Sequence, residues 1–113
     1  VCVQNGICAF NVDQKALVHE ALRVTRKGGI VLFSSYSDRF WPQRLTWFEA
    51  QSAEGLIGPI DYTASKDGFI VCTDGFHSGR MTAEDFRALC SVFSVEFMVE
   101  EVDESAVFCE IVK

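Results

Sequence analysis

A helix that is stopped hard and followed at once by an apolar strand is the feature that most constrains this chain. Lys27-Gly28-Gly29 closes a helical pattern, and Ile30-Val31-Leu32-Phe33 begins without a spacer. A continuous run of this kind fits a strand covered on both faces by helices, as in a parallel sheet. Upstream, Val1-Cys2-Val3 followed by Gln4-Asn5-Gly6 reads as a strand and its turn. Between the two, Leu17, Val18, Ala21, Leu22 and Thr25 recur at helical spacing. Asn11 or Asp13 is available as the N-cap, and Arg23, Arg26 and Lys27 suit the negative end of the helix dipole. Strand, helix, strand in this order predicts a βαβ unit that crosses over right-handed.

Ser34-Ser35-Tyr36-Ser37 is expected to be the polar exit from the second strand. A helical pattern resumes from Asp38 to Glu54, with Trp41, Leu45, Phe48 and Ser52 on one face and Pro42 in its first turn. Gly55 and Gly58-Pro59 end it. Ile60 to Ala64 and Phe69 to Thr73 are then expected to form a small antiparallel hairpin across Ser65-Lys66-Asp67-Gly68. Thr82 and Asp85 spell a capping box that opens a helix with Phe86, Leu89, Cys90 and Phe93 as its buried stripe. The two runs Val95 to Val99 and Ala106 to Val112, separated by Asp103-Glu104-Ser105, predict a closing antiparallel hairpin.

The chain has 113 residues, enough for one core and too few for two domains. Sixteen acidic against ten basic residues leave no basic footprint for nucleic acid or anionic lipid, and neither partner is expected. The longest apolar runs, Ile30 to Phe33 and Phe69 to Cys72, fall far short of the roughly 20 residues that a bilayer requires. No leader pattern opens the chain, which reads as soluble. Cys2, Cys8, Cys72, Cys90 and Cys109 are odd in number and form no C-x-x-C pair, so neither a disulfide framework nor a metal site is predicted. A reducing, cytoplasmic setting is expected. The apolar opening Val1-Cys2-Val3 resembles a strand cut from a larger sheet.

The run Leu22-Arg23-Val24-Thr25-Arg26-Lys27-Gly28-Gly29-Ile30-Val31-Leu32 resembles the segment that class I, Rossmann-like S-adenosylmethionine-dependent methyltransferases place before their fifth strand. The closing hairpin fits the same family, whose sheet ends with one antiparallel strand slotted between parallel neighbours. The resemblance covers essentially the whole chain but matches only the family's second half. It implies an α/β fold comprising the fourth to seventh strands of a partial Rossmann-like sheet, with flanking helices. Residues 1–113 are thus expected to be the C-terminal part of one methyltransferase domain. The glycine-rich loop and the acidic residue that hold the cofactor in this family are not among them, and no G-x-G-x-x-G occurs.

On this resemblance Gln4, Asn5 and Gly6 stand where the fourth strand ends, at the carboxyl edge where open α/β sheets bind ligands, and would contact the cofactor S-adenosylmethionine. An ordinary Asn-Gly turn is the alternative. Tyr36 lies at the same edge one strand over, as a substrate contact or as part of a loop capped by Ser37 or Asp38. Phe40, Trp41, Trp47 and Phe48 make the next helix aromatic. The corresponding region covers the acceptor in the family's small-molecule branch, although such stripes also build cores. Trp41 and Arg44 are therefore assigned to substrate binding, Arg44 as an attractor of anions or as part of a solvated face with Arg39. His77, in a loop, is the candidate general base. His19 reads as a structural surface residue. Cys8, near a helix start, is a candidate thiolate, whereas Cys72, Cys90 and Cys109 read as small core residues.

The function implied is methyl transfer to a small-molecule acceptor, carried mainly by proximity and alignment, with the isolated chain inactive. The rival is a non-catalytic interaction module. It would pair its exposed first strand with a second copy or with a partner chain, whereas on the methyltransferase reading the same strand is where the missing N-terminal half is expected to join. A dehydrogenase half would need a nucleotide fingerprint that the sequence lacks.

Overall fold

The computed structural model describes residues 1–113. The chain runs α1 (Gly6–Ala9), α2 (Gln14–Val24), β1 (Ile30–Tyr36), a single 3-10 turn at Asp38–Phe40 and α3 (Trp41–Ala53). It continues through β2 (Ile70–Val71), β3 (His77–Ser78), α4 (Ala83–Cys90), β4 (Glu96–Val102) and β5 (Ala106–Val112). The fold is mixed α/β, with one three-stranded antiparallel sheet ordered β1-β5-β4 and a separate two-stranded β2-β3 ladder.

Each helix begins and ends for a local reason. Asp13, rather than Asn11, caps α2 by accepting the Ala16 amide hydrogen at 2.7 Å. After α2, Gly28 takes a left-handed φ of 76°, and its N–H donates to the Lys113 carbonyl at 2.8 Å, which ties the helix stop to the end of β5. The α4 capping box is complete, with Thr82 Oγ1 accepting from the Asp85 amide and the Asp85 carboxylate accepting from the Thr82 amide. Ser37 caps the 3-10 turn through the Arg39 amide, and Pro42 sits in the first turn of α3.

The sheet buries one face. Phe33 and Val99 both pair with Cys109 across β5, so Val31, Phe33, Val107, Cys109 and Ile111 project to a common side. Ile7, Val18, Met81, Phe86, Leu89 and Cys90 cover that side and complete the main core. The other side has no helix over it. Ile30 is 57% exposed there and β4 is exposed along nearly its whole length. The expectation that Ile30 to Phe33 is buried on both faces is corrected accordingly, since an apolar run does not reveal which neighbours exist. The first strand contracts to one parallel bridge, Cys2 to Phe33, made by hydrogen bonds of 2.7 and 3.1 Å.

Two further boundaries move. β1 runs through Ser34 and Ser35, both buried, so these serines lie within the strand and not in a polar exit. The hairpin predicted for Ile60 to Ala64 pairs only around Ile60 and Asp61. The Asp61 side chain accepts the amide hydrogens of Thr63 and Ala64 and turns the chain away. Ile70–Val71 pairs instead with His77–Ser78. The predicted stripe of α3 holds: Trp41, Leu45 and Phe48 pack with Ile57, Ile60, Ile70 and Cys72 in a second, smaller core.

Replacing Thr82 with Ala removes one half of the capping box. Urea unfolding should then register a loss of about 1 kcal/mol, whereas Ser91→Ala, at the exposed C-terminal end of α4, should leave the midpoint nearly unchanged.

Candidate functional site

The chain from Val3 to Gly6 folds into a tight turn with Gln4 and Asn5 both left-handed, at φ 56° and 62°. Two non-glycine residues hold this conformation only when the surroundings impose it. Here the Gln4 amide donates to Ser34 Oγ at 3.0 Å and the Asn5 amide to the Ser34 carbonyl at 3.1 Å. Gly6 is buried, and a Cβ there would lie 2.7 Å from Cys2 Sγ and 3.3 Å from the Phe10 ring. Its smallness is used by its own neighbours.

Asn5 enters a buried polar network. Its Oδ1 accepts from Ser35 Oγ at 2.7 Å, and its Nδ2 donates to the Gly79 carbonyl at 2.8 Å and to Ser78 Oγ at 3.3 Å. Ser35 Oγ in turn accepts the Met81 amide hydrogen at 2.7 Å. Arg44 reaches the same carbonyl from α3, with its terminal nitrogens donating to Gly68 O at 2.5 Å, Gly79 O at 2.7 Å and Ser78 Oγ at 3.1 Å. The guanidinium carbon lies 4.7 Å from the Tyr36 ring centroid and 5.4 Å from that of Phe48, positions that favour cation–π attraction. Arg44 is only 2% exposed, so the solvated-face alternative is excluded. Burial pushes its pKa below the ordinary arginine value, against smaller opposing charge effects of the titratable Tyr36 and Cys8 groups.

Two clefts flank this network at the carboxyl ends of residues 1–3 and β1. The larger, about 430 Å³, has Gln4, Asn5, Ser34, Tyr36, Phe40 and Phe108 among its walls. The smaller, about 320 Å³, lies between Tyr36, Phe40, Gln43, Arg44 and Trp47. Tyr36 and Phe40, stacked with ring centroids 6.3 Å apart and planes at 11°, belong to both and form the wall between them.

Of the residues expected to act, the structure therefore brings together Gln4, Asn5, Tyr36 and Arg44. Trp41 lines a different groove, with Asp38, Asp67, Gly68 and Arg80. It is set apart because it belongs to the α3 stripe that faces the small core. His77 is exposed on β3, its Nδ1 3.3 Å from the Gly75 carbonyl, and lines neither cleft. Cys8 opens onto a third cavity of about 520 Å³ between α1 and α4, beside Lys15, Arg80 and Asp85. Burial raises its thiol pKa, outweighing the lowering by Ser35 and by the charges of Arg44 and Arg80, which is the direction opposite to thiolate activation.

Sequence reasoning missed Phe40 as the shared wall and Ser35, Ser78 and Gly79 as the network's other members. The only local signal was the pair of hydroxyls Ser34-Ser35 in an otherwise apolar strand. No helix is long and apolar enough to cross a membrane. Set against known proteins, the chain matches no family model, no curated protein and no solved structure, so the functional argument rests on this geometry.

Arg44→Met should deprive the carbonyls of Gly68 and Gly79 of a buried donor and lower unfolding stability by about 3 kcal/mol. Arg44→Lys should recover only part of this, since an ammonium cannot serve those acceptors as a planar fork. In alkylation by iodoacetamide followed by mass spectrometry, Cys8 should react well below the rate of a free cysteine at pH 8. Its rate should rise only in more alkaline solution, as the thiolate forms.

Proposed function

We propose that this chain is the acceptor-side part of a Rossmann-like, S-adenosylmethionine-dependent methyltransferase acting on a small molecule. The observation that carries the reading is the placement of β5. It lies antiparallel between β1 and β4, which run in the same direction, and residues 1–3 join the far side of β1 in parallel. That is the arrangement the resemblance implies for the fourth to seventh strands. Both clefts open at the carboxyl edge where such sheets bind ligands, which adds support.

The larger cleft suits one end of the cofactor. It offers the rings of Tyr36, Phe40 and Phe108 and the exposed Gln4, surroundings favourable to a sulfonium cation. Asn5 contributes little directly, because both of its amide hydrogens are engaged. No Asp or Glu lines the cleft to take ribose hydroxyls, so the end of the cofactor that this cleft suits is the sulfonium end. When bound, the cofactor supplies an electrophilic methyl group. The residues here orient the acceptor and exclude water: Tyr36 and Phe40, which border both clefts, hold the body of the acceptor in the smaller one, with its nucleophilic atom reaching past their edge into the larger cleft, because direct displacement needs that atom in contact with the methyl group. His77, outside both clefts, plays no part in this scheme. The five free cysteines suit a cytoplasmic enzyme.

An interaction module is favoured by one observation, the exposed apolar residues Val1, at 93%, and Val3, at 40%, on the short first strand. Calorimetric titration of S-adenosylhomocysteine into this chain and into the full natural gene product separates the readings. The methyltransferase reading expects binding by the full product and little or none by residues 1–113 alone. Absence of heat with both, together with dimerisation of the chain in sedimentation, would transfer the case to the interaction module.

A further inference from the structure

We propose that the cleft between Tyr36 and Trp47 binds a flat aromatic ring bearing a carboxylate, with the ring against the aromatic walls and the anionic oxygen answering Arg44. The inference rests on the methyltransferase reading only for naming this ligand as the acceptor; the binding site itself stands on the following geometry.

Phe40, Gln43, Arg44 and Trp47 fall at i, i+3, i+4 and i+7 along the 3-10 turn and α3, so they share one face, and Tyr36 closes it from β1. The cleft's volume of about 320 Å³ is in the range of small-molecule sites. Three of its five walls are aromatic, and Trp47 is left 54% exposed at its mouth. A ring sliding between Trp47 and the Tyr36–Phe40 stack would cover that surface.

The charge in this cleft is the second observation. Arg23, Arg39 and Arg80 each meet a carboxylate, yet Arg44, which is almost wholly buried, meets none. Carbonyl oxygens and two ring faces spread its charge without neutralising it. Its Nε–H, also buried, has no acceptor at all. A buried charge without a counter-charge and a buried donor without a partner are each unfavourable, and one incoming anionic oxygen relieves both. Gln43 and Trp47 are the exposed members of the cleft that Arg44 lines, so a ligand reaching Nε must displace those two side chains. The spare capacity is two guanidinium hydrogens, that of Nε and one on Nη1, with one amide, Gln43, on the same cleft. That suits a carboxylate on a ring and falls short of the several donors a phosphate needs.

The test uses the 15N-labelled chain and follows two signals by NMR, the Arg44 Nε–H and the Trp47 indole N–H, while sodium benzoate is added. Benzamide serves as the uncharged ring and acetate as the ringless anion. Both signals should move saturably with benzoate, at an affinity at least about tenfold above that for either control. Trp47→Ala, a change at an exposed position, should keep the rest of the spectrum and weaken benzoate by about tenfold or more. Immobile signals, equal affinity for benzamide, or undiminished binding by Trp47→Ala would each overturn the proposal. None of these readouts uses a methyl donor. Failure here therefore leaves the methyltransferase reading in place, and failure of the full product to bind S-adenosylhomocysteine leaves this site in place.

Discussion

The buried network around Arg44 and Asn5 is the constraint on which the rest of this structure depends. Residues 4–6, β1, α3, β3 and the lead into α4 are far apart in the chain, yet each contributes a donor or acceptor to it. Inside a core such groups must find partners or lose the hydration they enjoyed in water. The carbonyls of Gly68 and Gly79 are held by Arg44, Gly79 also by Asn5, and Ser35 holds Asn5 and the Met81 amide together. The two clefts thus lie against a polar floor held by these hydrogen bonds, in which the Arg44 Nε–H is left without an acceptor, while their walls are rings that can accept a ligand.

The one-sided sheet explains where those clefts can form. All the helices that pack closely on it, α1, α2 and α4, cover the face carrying Phe33, Cys109 and Ile111. α3 is excluded from that core and builds its own with β2, so its adjacent stripe is free to face the carboxyl edge of β1. Phe40, Arg44 and Trp47 line a cleft because Trp41, Leu45 and Phe48 have already spent the neighbouring stripe of the same helix on packing.

Much of the fold was legible because its causes are local. The Thr82 and Asp85 capping box, the Asp13 cap, the Gly28 stop and the Asp103–Glu104 turn between β4 and β5 each depend on atoms within a few residues. Part of the site was legible for the same reason, since Gln4, Asn5 and Tyr36 follow directly from where their strands end. The extent of β1 was misread because hydroxyls look like a loop in sequence, and only the partners of Ser34 and Ser35 make them comfortable inside a strand. The hairpin at Ile60 was misread because the Asp61 side chain captured the backbone before pairing could continue.

The sequence by itself determined the kind and order of the elements, because helices and strands arise from periodic burial and short-range hydrogen bonds. It also determined that α3 is aromatic, with Trp41, Leu45 and Phe48 on one face. Only the tertiary structure decided that Phe40 and Trp47 line a cleft, that Arg44 is buried, and that His77 and Trp41 stand apart from Tyr36. The physical reason is the distance along the chain to the deciding partner: Arg44 is held by atoms 24 to 35 residues away. No local pattern carries the burial of a charge whose acceptors are backbone carbonyls, since every residue has one.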